Sequence, residues 1–159
     1  MRLEKLIGDR LRQQGWTLSI AESLTGGLVS HRITNVPGSS DYYEGGVVSY
    51  SNRAKAQHLR IHPKSLEKHG AVSSQVAREM AEGVREAFHT TFGLSTTGVA
   101  GPTGGTKKTP VGLVFVAISD GKRTRVRKEQ FRGTRLQIKQ QAAQRGLEFL
   151  CEYLTRRVG

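Results

Sequence analysis

Trp16 to Leu28 reads WTLSIAESLTGGL, a strand that runs through a glycine turn into a helix. Its first half, Trp16 to Ala21, is a short β-favouring run. From Leu28 to Ile33 the pattern becomes helical, and between the two lies Glu22-Ser23-Leu24-Thr25-Gly26-Gly27, a turn-forming segment. A strand that turns directly into a helix is a building unit of α/β sheets.

Upstream, Leu3, Leu6, Ile7 and Leu11 share one face of an amphipathic helix stopped by Gly15. Downstream, Asn35 to Asp41 is a turn-rich loop, and Tyr42 to Tyr50 contains the strand-like run Val47-Val48-Ser49-Tyr50. Ser51 or Asn52 caps a helix carrying Lys55 and Leu59, and Pro63 to His69 is a short helix ended by Gly70. Ser73 or Ser74 caps a longer helix, with Val76, Met80, Val84 and Phe88 at helical spacing. Leu94 to Thr97 is a short strand feeding the glycine-rich Gly98 to Gly105, and Val111 to Ser119 is the most apolar strand. Asp120-Gly121 predicts a two-residue hairpin into Lys122 to Phe131, a charged edge strand. Arg135 to Arg156 closes the chain as a helix with Leu136, Ala143, Leu147, Leu150 and Leu154 inward. The prediction is one domain over residues 1–159: a three-layer α/β fold, with a mixed sheet, helices on both faces, a C-terminal hairpin and a closing helix.

Bulk properties narrow the class. A chain of 159 residues can bury a core without staples, and 19 glycines with 36% hydrophobic residues suit a loop-rich α/β chain. The single cysteine, Cys151, excludes an intramolecular disulfide and fits a reducing cytoplasm. No stretch reaches the roughly 18 apolar residues needed to span a bilayer, and the charged MRLEKLIGDRLRQQG start lacks the apolar core of a secretory signal. The expectation is a cytoplasmic protein without membrane association. A net charge of +12 admits a nucleic-acid surface, attraction of phosphorylated small molecules, or plain solvated faces.

Three turn-rich segments follow predicted strands: Glu22 to Gly27, Ser51 to Lys55, and Gly98 to Gly105. Ligands of open α/β sheets collect at the carboxyl ends of strands, so these segments can share one crevice. Ser23 would start a helix, with the free amides behind it placed to hold an oxyanion; the plainer alternative is a helix cap. A nucleophilic serine needs a base, and the five histidines show no triad pattern. His58 and His62 have zinc-ligand spacing but no third partner, so no metal is expected. Lys55 is the other candidate, if burial or a helix terminus keeps it neutral. Ser65-x-x-Lys68 lies in a polar helix without a glycine-rich neighbour and is set aside. The stretch from Gly98 to Gly112 is not a phosphate loop, since Thr106 rather than Gly precedes Lys107. Its exposed amides, with Thr97 and Thr103, can still cradle an anion.

Three segments together resemble the C-terminal domain family of the competence/damage-inducible protein CinA: AESLTGGL (Ala21 to Leu28), GGVVSYSNRAK (Gly45 to Lys55) and TTGVAGPTGGTKKTPVG (Thr96 to Gly112). Val36 to Ser40 and His69 to Ser74 fit as well. The resemblance implies a nicotinamide mononucleotide deamidase, a Ser-Lys amidohydrolase of pyridine nucleotide (NAD) salvage that uses no cofactor. It puts the nucleophile on Ser23, the base on Lys55 and an assisting tyrosine on Tyr50. Thr25, Gly26, Gly27, Asn52, Thr97, Gly101, Thr103 and Gly104 form the expected substrate-binding set. The family usually has Cys where this chain has Leu24, and a lysine where it has Thr109. Full-length members add an N-terminal nucleotide-binding domain, which these residues do not include, and exposed sheet edges suit a homo-oligomer.

Two other readings stand beside this one. One is a silent paralogue that binds a nucleotide or partner without turnover. The other is a basic nucleic-acid module using Arg123, Arg125 and Arg127, against which the low aromatic content (6%) counts.

Overall fold

In the computed structural model, which describes residues 2–159, the chain alternates helices and strands. The order begins with α1 (Arg2–Gln14), β1 (Leu18–Glu22) and α2 (Leu28–Thr34), then a 3-10 turn (Ser39–Asp41) and β2 (Tyr43–Val48). Three helices follow: α3 (Asn52–Leu59), α4 (Pro63–His69) and α5 (Ser74–Phe88). The chain ends with β3 (Phe92–Gly98), β4 (Leu113–Ser119), β5 (Thr124–Gln130) and α6 (Arg135–Val158). The strands form one sheet in the order β2-β1-β3-β4-β5. β1 runs parallel to β2 and β3, whereas β4 is antiparallel to both β3 and β5. This is the expected three-layer mixed α/β architecture.

Side-chain alternation along the strands makes two cores. Leu18, Ile20, Phe92, Leu94, Val114, Val116 and Ile118 face α1, α2 and α6, where they meet Ile7, Leu11, Ala143 and Leu147. The residues between them face the other way: Ala21 meets Met80 and Val84, and Phe115 and Ala117 meet Ala77 and Ala81 of α5. The approach of α5 is close enough that a Cβ on Gly93 would collide with the Ala81 carbonyl. Strands covered on both sides read as continuous apolar runs, and β4 is buried along its whole length.

Two local expectations are corrected. The hairpin turn lies one residue later than Asp120-Gly121: the Asp120 amide donates to the Arg123 carbonyl at 3.0 Å, so Gly121 and Lys122 form the tip. Gly121 takes the positive φ (84°), and Asp120 Oδ1 accepts from the amides of Lys122 and Arg123. Leu136 is not inward but 68% exposed, because it lies in the first turn of α6, ahead of the point where the helix reaches the sheet at Ile138.

Candidate active site

The carboxyl ends of β1, β2 and β3 lie side by side, since Glu22 pairs with both Val48 and Thr96. The segments after these strands therefore leave the same end of the sheet and can share one crevice. Ser23 leaves β1 with its amide bonded to the Thr96 carbonyl at 3.0 Å, which fixes its backbone against β3. Ser51, not Asn52, caps α3 by accepting from the Ala54 amide. That start places Lys55 on the inward side of the second turn.

Lys55 Nζ donates to Ser23 Oγ at 3.0 Å and to the Ser49 carbonyl at 2.8 Å. Lys55 is 1% exposed, and among the described residues no acidic side chain pairs with it. Burial alone pulls its pKa from 10.5 down to about 8. A buried lysine without a carboxylate is unfavourable as a cation, which is the condition for it to accept a proton.

Around this pair lies a cleft of about 280 Å³. Tyr50 and Asn52 line one side, and Thr97, Gly101, Thr103 and Gly104 another. Thr97 Oγ1 donates to the Ala71 carbonyl at 2.8 Å, holding the turn between α4 and α5 against the cleft. Within the Ala100 to Gly105 loop no amide finds a protein acceptor among the described residues, so its N–H groups remain available for an anion.

Thr25, Gly26 and Gly27 do not line this cleft. Thr25 is buried with its hydroxyl on Thr96 Oγ1 at 2.7 Å, and the two glycines border a separate hollow beside Leu136 and Lys139. The amides at the start of α2 are already occupied. Glu22, completely buried, accepts from Gly27, Val29 and Ser30 at 3.0, 3.1 and 2.8 Å, and the Gly26 amide donates to the Ser23 carbonyl. The helix terminus expected to hold an oxyanion thus holds a carboxylate of its own chain. The Leu24 amide, next to Ser23 and on the cleft, has no protein acceptor among the described residues.

Sequence reasoning missed three participants. Ser49 enters through its carbonyl, which any residue supplies. Arg135 opens α6 and donates to Tyr50 Oη and the Gly101 carbonyl, both at 2.7 Å, joining two walls of the cleft. Glu22 had a signal, an acid before a glycine-rich turn and a helix, but its target amides follow rather than precede it. No histidine is among the described residues lining the cleft, and His62 Nδ1 accepts from the Lys64 amide as the cap of α4. Ser65 donates to Glu79 at 3.0 Å, so the Ser65–Lys68 pattern is also elsewhere. No helix is long and apolar enough to cross a membrane among the described residues.

The likeness to known proteins runs along nearly the whole chain. Residues 1–154 match the CinA C-terminal domain. A CinA-like protein of Salinibacter ruber is 51% identical over 146 residues, covering 92% of this chain and 35% of that protein. One from Syntrophobacter fumaroxidans is 47% identical over 153 residues, covering 96% and 36%. The chain therefore spans about a third of the length of the curated relatives it matches. The crystal structure of competence damage-inducible protein A from Klebsiella pneumoniae superposes with a TM-score of 0.94 at 30% identity, covering 97% of this chain and 96% of that one. The competence/damage inducible protein CihA of Agrobacterium tumefaciens gives 0.89 at 33% identity, with 98% and 96% coverage. Matching in sequence along nearly its whole length and in fold, this chain belongs to the CinA C-terminal domain family.

Proposed function

We propose that this chain is an amidohydrolase that uses Ser23 and Lys55 to hydrolyse the carboxamide of nicotinamide mononucleotide, as an enzyme of pyridine nucleotide salvage. The observation that carries the reading is the 3.0 Å contact between Ser23 Oγ and an unpaired, buried Lys55. A lysine with a pKa of about 8 is neutral in about one molecule in ten at pH 7, enough to act as a general base.

Neutral Lys55 takes the hydroxyl proton of Ser23 as Oγ attacks the amide carbon. The resulting oxyanion is received by the Leu24 amide, and the Ala100 to Gly105 amides bind the anionic part of the mononucleotide. Lys55 returns the proton to the departing nitrogen, the C–N bond breaks and ammonia leaves. Water, deprotonated by the same amine, then splits the Ser23 ester to give nicotinic acid mononucleotide. Tyr50 and Arg135 hold the cleft wall beside the reacting carbonyl. No metal or organic cofactor takes part in this scheme. The setting would be cytoplasmic, with a second copy covering exposed sheet edges.

The test is ammonia release from nicotinamide mononucleotide, compared with nicotinamide and NAD. Ser23→Ala and Lys55→Met should each lower turnover by roughly 10³-fold or more while circular dichroism stays native. Undiminished turnover in Ser23→Ala overturns the nucleophile. Binding of the mononucleotide without turnover by the unaltered chain supports the silent-paralogue reading instead.

A further inference from the structure

The hairpin between β4 and β5 lies at the opposite end of the sheet from Ser23, since Ser119 pairs with Gly93 at the start of β3. There β5 and the last turns of α6 enclose a groove of about 340 Å³, distinct from the Ser23 cleft. Arg123, Arg125 and Arg127 enter it from the strand side, and Arg156 and Arg157 from the helix; Glu152 is the one acid in its lining.

Two of these guanidinium groups are held in place. Arg127 lies over the Phe149 ring, 4.4 Å from its centroid, and pairs with Glu152 at 2.5 Å. Arg157 lies 3.4 Å from Asp120 Oδ2, whose position is fixed by the Tyr153 hydroxyl at 2.6 Å. Arg123, Arg125 and Arg156 have no ion-pair partner among the described residues, so they are free to fold over a ligand.

Ordinary structural roles account for only part of this arrangement. Basic residues in the last turn of a helix complement its dipole, which explains Arg156 and Arg157. Charges on an edge strand discourage pairing with another chain, but that role is served by either sign. The other end of the same strand face shows the usual solution, with Glu129 paired to Arg145 at 2.7 Å. At the hairpin end, arginines of the strand instead face arginines of the helix, and like charges across a gap are destabilising unless an anion fills it.

We propose that this groove is a second anion site, which binds a small ligand carrying a chain of phosphate groups. Paired planar guanidinium groups suit phosphate oxygens, and several phosphates in series match arginines on both walls. The two aromatic floor residues are buried and Phe149 is already covered by Arg127, leaving no open ring on which nucleic-acid bases could stack. The groove is also sized for a small molecule. This inference does not depend on the amidase reading.

The experiment is calorimetric titration of the 159-residue protein with inorganic tripolyphosphate, a nucleoside triphosphate and a single-stranded oligonucleotide, in about 0.1 M salt. Saturable one-to-one binding of tripolyphosphate is expected, unchanged in Ser23→Ala and weakened at least about tenfold in Arg123→Ala/Arg125→Ala. Tighter binding of the nucleoside triphosphate than of tripolyphosphate identifies a nucleotide as the source of the phosphate chain; equal binding identifies the inorganic chain. Affinity unaffected by the double substitution overturns the site. A much tighter oligonucleotide complex, lost in the same double variant, overturns the small-ligand assignment in favour of nucleic acid.

Discussion

Burying Lys55 costs stability, while its proposed role as a base depends on that same burial. Its folded pKa, about 8, lies below the ordinary 10.5, so the folded protein binds fewer protons than the unfolded chain between those values. Stability therefore rises with pH from about 8 to about 10.5, and below that window the cost of burying the cation is present in full. Lys55→Met removes the cost while filling similar space. It should stabilise the fold at pH 7 by about 1–3 kcal/mol in urea unfolding, with the gain shrinking to nothing above pH 10.5. The same titration sets an activity profile. kcat/KM should fall about tenfold per unit as pH drops below about 8, and a profile flat from pH 6 to 8 excludes Lys55 as the base.

At the scale of elements, the deciding device is the turn between β1 and α2. Glu22 gathers the amides of Gly27, Val29 and Ser30 at the start of α2, while Ser23 is held at the cleft by its own amide bond to Thr96. Glu22→Ala should lower stability by about 2–4 kcal/mol in urea unfolding, as three charge-assisted bonds are lost in a buried place. α6 supplies the other device. Its capping box at Thr134 and Gln137 fixes the first turn, and Arg135 then reaches Tyr50 and Gly101. Arg135→Ala should leave thermal stability nearly unchanged, because the side chain is exposed, while lowering kcat/KM for the mononucleotide by roughly 10–100-fold. Much of this level was readable in advance. The strand-turn-helix units, the cap at Ser51 or Asn52 and the charged edge strand follow from local pattern. The inward placement of Leu136 did not hold, because periodicity gives a helix face but not the point at which a neighbour begins to cover it.

For the whole molecule the net charge of +12 matters more than any one ion pair. Self-repulsion of that size is screened by salt, so the melting temperature should rise on going from about 0.02 to 0.3 M sodium chloride. An increase of roughly 2–4 °C corresponds to about 1 kcal/mol at this chain length. A melting temperature that falls instead would show that the ion pairs around Arg145 outweigh the repulsion.

The layered α/β fold, the three segments that could carry a site and, through its motifs, the family were all legible in the amino-acid order. These depend on local periodicity, turn chemistry and the order of elements along the chain. That order also singled out Ser23 and Lys55, each as one of two readings. The fold removes the plainer alternatives: Gly27 rather than Ser23 caps α2, and Lys55 is buried instead of exposed, 3.0 Å from Ser23 Oγ and without a carboxylate. It likewise moved Thr25, Gly26 and Gly27 away from the cleft, brought in Arg135 from 85 residues beyond Tyr50, and gathered five arginines at the far end. Burial and long-range contact depend on which surfaces meet when the layers close, and no local pattern carries that information.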